Sequence, residues 1–361
     1  MVNKSSSLTL NSIHYQRDEL VGLCMAQVVR GDIPEWDESI YRFILEWLSA
    51  DDFVVVQTSG STGIPKIIYQ PKVQMIHSAR MTADYFGLDT QTNALLCLPV
   101  SYIAGKMMVV RAFVTGMNLI TVEPSSNPFG ELTEKIHFAA ITPFQLVHSL
   151  SPLDEMKIDS VIVGGGVIPY DLEMNCQRLS SNIFSTYGMT ETSSHVAIRS
   201  VNGAQRSPFY EVLKGVSISV DERNCLVINA PGLTPEPLIT NDVVLIIDSS
   251  HFEWIGRFDN VINTGGVKVF PEQVENKIFP LIPGRFFIAG LTDPVLGEKV
   301  TLFLEIGNKD PEQFKDLESI LKNVLTKFEM PRQIIFIPVF ALSDAGKILK
   351  KLIVSTFLKL R

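Results

Sequence analysis

The 361-residue sequence predicts an α/β protein: a large N-terminal domain of helix-covered mixed or parallel sheets with a small β subdomain, then a small α+β C-terminal domain. Three observations lead there. Short apolar runs alternate with helical segments between residues 94 and 185, closely spaced strands replace the helices from about 210, and a smaller strand-helix mixture follows a polar break at 256–260. The length suits one large domain and a smaller one, placed at 1–257 and 258–361.

Residues 15–50 predict two helices, the second with Ile40, Phe43, Ile44, Trp47 and Leu48 on one face at i, i+3, i+4, i+7, i+8 spacing, a core stripe. The apolar run 53–56 reads as a strand, 58–66 as a loop and 67–69 as a second strand, before a helix over 72–86. Strands at 94–98, 118–122, 138–141, 160–163 and 182–185 then alternate with helices near 105–116, 143–150 and 169–180. That pattern implies a parallel sheet with ligands beyond the strands' C-terminal ends. Strands at 217–220, 226–229, 243–248 and 252–255 form the antiparallel subdomain. In the small domain Pro271 opens a helix with Glu272 and Glu275 near its positive end. Strands at 286–290 and 299–306, a helix near 311–327, a strand at 333–337 and a last helix complete it.

Composition bounds the function. With 46% hydrophobic and 19% charged residues the chain reads as globular. The richest apolar stretch, 94–122, is interrupted by Lys106 and Arg111, so it predicts buried strand, helix and strand and no membrane span. No apolar signal core follows Met1, and Cys24, Cys97, Cys176 and Cys225 are widely spaced in apolar sequence, which suits a reducing cytoplasm. The formal net charge of -8 argues against a nucleic-acid partner and leaves anionic substrates to local Lys and Arg groups.

The chemistry-bearing stretch is Thr58-Ser59-Gly60-Ser61-Thr62-Gly63-Ile64-Pro65-Lys66. Two glycines open backbone conformations, four hydroxyls and free N-H groups supply donors, and Lys66 brings a positive charge, the composition of a phosphate-wrapping loop. It does not fit G-x-x-x-x-G-K-[ST], and a strand follows it, so no helix N-terminus faces the anion. A plain hairpin turn is the alternative. Gly164-Gly165-Gly166 ends one strand without side chains, where a flat ring can lie against the backbone or the chain can simply turn. The next strand ends in Tyr187-Gly188-Met189-Thr190-Glu191, which gathers an aromatic ring, a hydroxyl and a carboxylate suited to a base, a phosphate and Mg²⁺. Asp242 follows Leu238-Ile239-Thr240-Asn241 and either accepts from a ribose diol or shapes a turn. Lys347 sits on a Gly-containing loop before the last helix, where an isolated lysine is ordinarily solvated.

In this order, from residue 58 to 347, the motifs resemble those of the adenylate-forming superfamily: acyl-CoA synthetases, luciferases and peptide-synthetase adenylation domains. The resemblance implies that Thr58, Ser59, Gly60, Ser61, Thr62, Gly63 and Lys66 hold the β- and γ-phosphates of ATP. It implies that Gly164, Gly165, Gly166 and Tyr187 frame the adenine, with Gly188 and Met189 alongside, and that Thr190 contacts the α-phosphate and Glu191 holds Mg²⁺. Asp242 would bind the ribose with Arg257 at its edge. Asp259 and Asn260 would form the hinge of a mobile C-terminal domain, Lys347 would act in adenylation, and Gly265 and Gly266 would line a CoA pantetheine tunnel. The chain is short for the superfamily, lacking much of the usual region before the phosphate loop; with the wording at 99–106 and 257–275 this is similar to the o-succinylbenzoate–CoA ligase branch. Tyr102 stands where many relatives have His and Asn241 where Gly is usual; Tyr102, Lys106 and His195 are the acid-pocket candidates.

The activity the resemblance implies is ATP-dependent ligation of o-succinylbenzoate to CoA through an acyl-adenylate, with release of AMP and pyrophosphate, as in menaquinone biosynthesis. The alternatives are a different aryl or acyl acid, a stand-alone adenylation enzyme loading a carrier protein, and a catalytically silent nucleotide-binding regulator.

Overall fold

A hairpin opens the chain in the computed structural model, which describes residues 7–58, 66–130, 132–307, 310–342 and 348–359. Its strands β1 (Leu8–Leu10) and β2 (Ile13–Tyr15) turn through Asn11 and Ser12, and helices α1 (Arg17–Arg30) and α2 (Glu35–Leu48) follow. The α2 stripe Ile40, Phe43, Ile44, Trp47 and Leu48 is buried, as its spacing predicts. Next, β3 (Phe53–Thr58) and β4 (Lys66–Pro71) pair antiparallel as a two-stranded sheet of their own, and α3 (Lys72–Phe86) leaves from Pro71.

The alternating segment becomes β5 (Asn93–Leu96), α4 (Ile103–Thr115), β6 (Asn118–Thr121), β7 (Phe138–Ile141), α5 (Pro143–His148), α6 (Leu150–Met156), β8 (Ser160–Val163), α7 (Tyr170–Cys176) and β9 (Ile183–Gly188). Its strands are parallel in the order β9-β8-β7-β5-β6, and β1 adds to β6, also parallel. Adjacent residues feed opposite cores: Leu96, Ala140 and Ile162 face the α2, α3 and α4 side, whereas Leu95, Ile141 and Val163 face α5, α6 and α7.

Six further strands follow: β10 (His195–Ser200), β11 (Tyr210–Val212), β12 (Ser217–Val220), β13 (Cys225–Asn229), β14 (Leu238–Ile246) and β15 (His251–Arg257). They pair antiparallel, and the β subdomain is continuous with the parallel region through β9 and β10, giving one 13-stranded sheet. β14 starts at Leu238, upstream of the strand expected from 243, so Asp242 lies inside a strand and not at a turn. The polar residues at 240–242 hide this strand from a hydropathy reading, yet Thr240 and Asp242 are buried.

After a 3-10 turn at Phe258–Asn260 come β16 (Ile262–Thr264), β17 (Val267–Val269), α8 (Pro271–Ile278), β18 (Phe286–Asp293), β19 (Gly297–Glu305), α9 (Leu317–Leu321), β20 (Gln333–Ile337) and α10 (Lys350–Lys359). The strands form a separate five-stranded sheet. The helix expected over 311–327 is instead a 3-10 turn at Pro311–Phe314 and the single short α9. Leu317, Leu321 and Leu325 are buried at helical spacing, but Asn323 and Val324 bond three residues back and the Glu329 carboxylate accepts from Thr326 N-H, so the chain tightens and starts a new turn.

Candidate active site

Thr58 and Lys66 are opposite partners at the turn end of the β3–β4 hairpin, so the two ends of the predicted phosphate loop meet. Ser59, Gly60, Ser61, Thr62 and Gly63 lie outside the described residues. Gly164 follows β8, where an added Cβ would stand 2.7 Å from Thr186 Oγ1, too close for any other residue without a shift. Thr186 Oγ1 donates to the carbonyl of Val163, which holds the ends of β8 and β9 together.

Tyr187, next to last in β9, is half-buried among aromatic rings, edge-on to Phe252 at 5.3 Å and 6.0 Å from Tyr210. Its hydroxyl donates to Asp242 Oδ2 at 2.7 Å. Asp242 is 6% exposed; Trp254 Nε1 donates to its Oδ1 at 3.2 Å and Arg257 Nη1 lies 3.6 Å from the same oxygen. Burial first, and then the Asp242 charge, push the Tyr187 phenol far above its ordinary pKa, so it remains a donor. A carboxylate has about four acceptor sites, so Asp242 keeps capacity for another ligand.

The 3-10 turn Thr190–Thr192 follows, with Glu191 exposed. Thr192 Oγ1 accepts from Met189 N-H and donates to the carbonyl of Ser194, closing the turn. Beneath it three elements meet. Arg111 from α4 is 1% exposed, and its Nη2 donates to Ser194 Oγ at 2.8 Å. Its Nε has no hydrogen-bond partner and no carboxylate pairs with it among the described residues; burial pulls its pKa down to about 10. His195 in β10 is buried between Thr82 of α3, 3.2 Å from Nε2, and Ser194, 3.3 Å from Nδ1.

Burial, and then the Arg111 charge, hold His195 well below its usual 6.5, so it is neutral. An unfolded chain takes that proton near pH 6.5 while the folded chain does not. The stability this group contributes is complete above pH 6.5 and falls as pH drops below it, by up to about 1.4 kcal/mol per pH unit. Thermal midpoints measured from about pH 7 to about pH 5 should therefore fall more steeply for the natural chain than for His195→Gln.

Of the other acid-pocket candidates, Tyr102 is an exposed residue ahead of α4. The charge of Lys106 is matched by Glu46 of α2 at 3.2 Å and its ammonium lies 4.2 Å from the Phe43 ring, so it joins two helices. Arg111, five residues further along α4, is a buried cation with no ionic partner among the described residues. Sequence reasoning noted it only as an interruption, although a charge inside an otherwise apolar helix is itself a signal.

At the junction of the two units, Asp259 accepts from Arg257 at 2.9 Å and from Asn241 at 3.3 Å, and Asn260 donates to Glu272 of α8 at 2.6 Å. Gly265 and Gly266, at φ 60° and 82°, turn the chain between β16 and β17, a left-handed pair that favours glycine at both places. Lys347 lies outside the described residues; Leu342 and Ile348, on either side of 343–347, form an antiparallel bridge.

The strand ends, the hairpin and the acidic turn together have the form of a nucleotide-handling α/β enzyme. The AMP-binding enzyme family matches residues 13–230, more than half of the chain, and the chain belongs to that family. A 2-succinylbenzoate–CoA ligase of Lactococcus lactis is 23% identical over 82% of this chain and 70% of its own length. A probable 2-succinylbenzoate–CoA ligase of Mycobacterium tuberculosis is 25% identical over 90% of each. Among solved structures, an acyl-CoA synthetase (AMP-forming)/AMP-acid ligase II-like protein from Dyadobacter fermentans is 34% identical, with TM-score 0.60 over 94% of this chain and 98% of that one. The O-succinylbenzoate Coenzyme A synthetase of Bacillus subtilis, solved with ATP and magnesium, has TM-score 0.69 at 19% identity over 82% and 68%, and shares the fold.

Proposed function

We propose that the chain is an AMP-forming acid–CoA ligase that converts 2-succinylbenzoate, through its acyl-adenylate, to the CoA thioester. The observation that carries the choice of acid is Arg111. A dicarboxylate activated at one end needs a partner for the other, and a buried guanidinium that has no carboxylate of its own among the described residues supplies one. The names of the relatives point to the same acid.

ATP would lie across the strand ends, its adenine between Gly164–Gly166 and the Tyr187 ring, its ribose on Asp242 with Arg257 at the edge, its α-phosphate at Thr190 and its outer phosphates in the loop from Thr58 to Lys66. Among the described residues no cluster of three His, Cys, Asp or Glu forms a metal cage. One exposed carboxylate, Glu191, suits Mg²⁺, which takes one or two carboxylates and fills its remaining positions with phosphate and water oxygens. There it would neutralise phosphate charge. Attack of the substrate carboxylate on the α-phosphate breaks the α–β anhydride and releases pyrophosphate; the CoA thiol then attacks the acyl carbon and AMP leaves. The first step brings two anions together, so this chain contributes positioning and positive charge, from Lys66, Lys347 and the donors at Thr190, and no general base. Asp259 and Asn260 would be the hinge that exchanges Lys347 for Gly265–Gly266 between the steps. Four free, buried cysteines and no helix long and apolar enough to cross a membrane among the described residues support a cytoplasmic location.

Acid-dependent ATP–pyrophosphate exchange across a panel of acids tests the reading: 2-succinylbenzoate should give the highest rate and CoA should stimulate AMP release. Exchange with no acid, or dependence on an added carrier protein in place of CoA, would overturn it. Asp242→Ala should raise the KM for ATP about tenfold or more, because a charged acceptor contributes about 1.5–3 kcal/mol per hydrogen bond. An unchanged KM in a folded variant would reduce Asp242 to a strand residue that anchors Tyr187 and Trp254.

A further inference from the structure

A line of buried hydrogen bonds runs from the Arg111 guanidinium on α4 back to a different helix. Nη2 donates to Ser194 Oγ at 2.8 Å, and the same oxygen lies 3.3 Å from Nδ1 of His195, the first residue of β10. On the far side of the ring, Nε2 lies 3.2 Å from Thr82 Oγ1 of α3, and that hydroxyl donates to the carbonyl of Ser78, one turn earlier, at 3.2 Å. Thr82 is fully buried and stands 113 positions from His195 in the sequence.

The two ends of the line fix its direction, because a guanidinium only donates and a carbonyl only accepts. Each hydroxyl carries one hydrogen and the neutral imidazole one N-H, so a single arrangement satisfies every member. Arg111 donates to Ser194, Ser194 to Nδ1, Nε2-H to Thr82, and Thr82 to the Ser78 carbonyl. In the other tautomer Ser194 Oγ would meet two donors, and its own hydrogen would have no acceptor among these contacts. Both ring nitrogens are thus taken by protein hydroxyls, which leaves His195 none for a substrate. The remaining contact of the guanidinium is weak: Nη1 lies 3.4 Å from Met108 Sδ, and Nε has no partner. Its aim therefore rests on Ser194, and the aim of Ser194 on the imidazole that Thr82 holds.

We infer that Thr82 and His195 are positioning residues that orient Arg111 through Ser194, and so set the preference for an acid with a second carboxylate without touching it. The inference rests on the proposed contact of Arg111 with that carboxylate. ATP–pyrophosphate exchange with 2-succinylbenzoate tests it in the natural chain, Thr82→Val, Thr82→Ser, Arg111→Met and Thr82→Val/Arg111→Met. Valine keeps the branched shape and removes the hydroxyl, whereas serine keeps the hydroxyl. Thr82→Val should raise the KM for 2-succinylbenzoate about tenfold and leave kcat and the KM for ATP within about twofold, while Thr82→Ser stays close to the natural chain. In the double variant kcat/KM for the acid should equal that of Arg111→Met alone, because the line acts only through that guanidinium. The inference is overturned if Thr82→Val leaves the acid KM within about twofold, if the KM for ATP rises as much, if serine is as impaired as valine, or if the two losses multiply in the double variant. Should Thr82→Val fail to fold, Thr82→Ala, a better helix former that also lacks the hydroxyl, decides in its place. A natural chain that exchanges as well with benzoate as with 2-succinylbenzoate defeats the dicarboxylate reading and this inference with it. One that prefers the dicarboxylate, and keeps that preference in Thr82→Val, defeats this inference alone.

Discussion

Lys347→Ala is expected to lower acid-dependent ATP–pyrophosphate exchange about 10²- to 10³-fold, the loss that follows removal of one preorganised donor from a developing charge. Thioester formation from supplied acyl-adenylate should remain largely intact, since this lysine is assigned to one domain orientation. The stem of its loop is well fixed. Leu349 N-H donates to the carbonyl of Ala341, and Lys350 at the start of α10 makes two contacts with Glu275 of α8, at 2.7 and 3.0 Å. The alanine variant thus removes one charge and leaves the contacts of Leu349 and Lys350 in place. Equal loss in both half-reactions, measured separately, would contradict the separate duties given to Lys347 and to Gly265–Gly266.

For Arg111→Met the expected result is a loss of about 10²-fold or more in kcat/KM for 2-succinylbenzoate, with benzoate and other monocarboxylates unchanged. Truncating one partner of a buried, hydrogen-bonded charge pair costs about 2–5 kcal/mol. The control is stability. In the ligand-free chain this guanidinium is buried with one hydroxyl and one thioether as partners, so an unbranched apolar replacement removes a desolvated charge and the thermal midpoint should hold or rise. A large fall in midpoint, with mono- and dicarboxylates impaired alike, would make Arg111 a core residue and remove the argument for a dicarboxylic acid.

Sequence patterning located the α2 stripe, α3 and the parallel strands because each has one dominant signal: helical spacing in α2, or a short apolar run buried on both faces as in β7 and β8. It failed where polar residues are buried. Asp242 looked like a turn residue because Thr240 and Asn241 precede it, yet a tyrosine, a tryptophan and an arginine satisfy its charge inside a strand. Those partners come from positions 187, 254 and 257, and no local pattern announces them. Lys106 and Arg111 share one helix in the sequence; only packing shows that, among the described residues, the first has a carboxylate partner and the second has none. The buried hydrogen bond from Gln70 Nε2 to Ser193 Oγ is hidden for the same reason, its ends being 123 positions apart.

The strand that opens the chain has a consequence for synthesis. β1 does not pair with the segment that follows its hairpin but lies parallel beside β6, and Asn11 and Thr121, 110 positions apart, bond through side chain and backbone. On the ribosome the first strand must wait until β6 has emerged, while α1 to α4 are already free to collapse around a sheet with an open edge. The N-terminal hairpin then covers β6 and leaves only the three-residue β2 at that edge, where β6 would otherwise offer its unpaired backbone to a neighbouring nascent chain. Changes that weaken Leu8 or Leu10, both buried, should therefore appear first as poor yield and aggregation during expression, and only afterwards as lost activity in the molecules that fold.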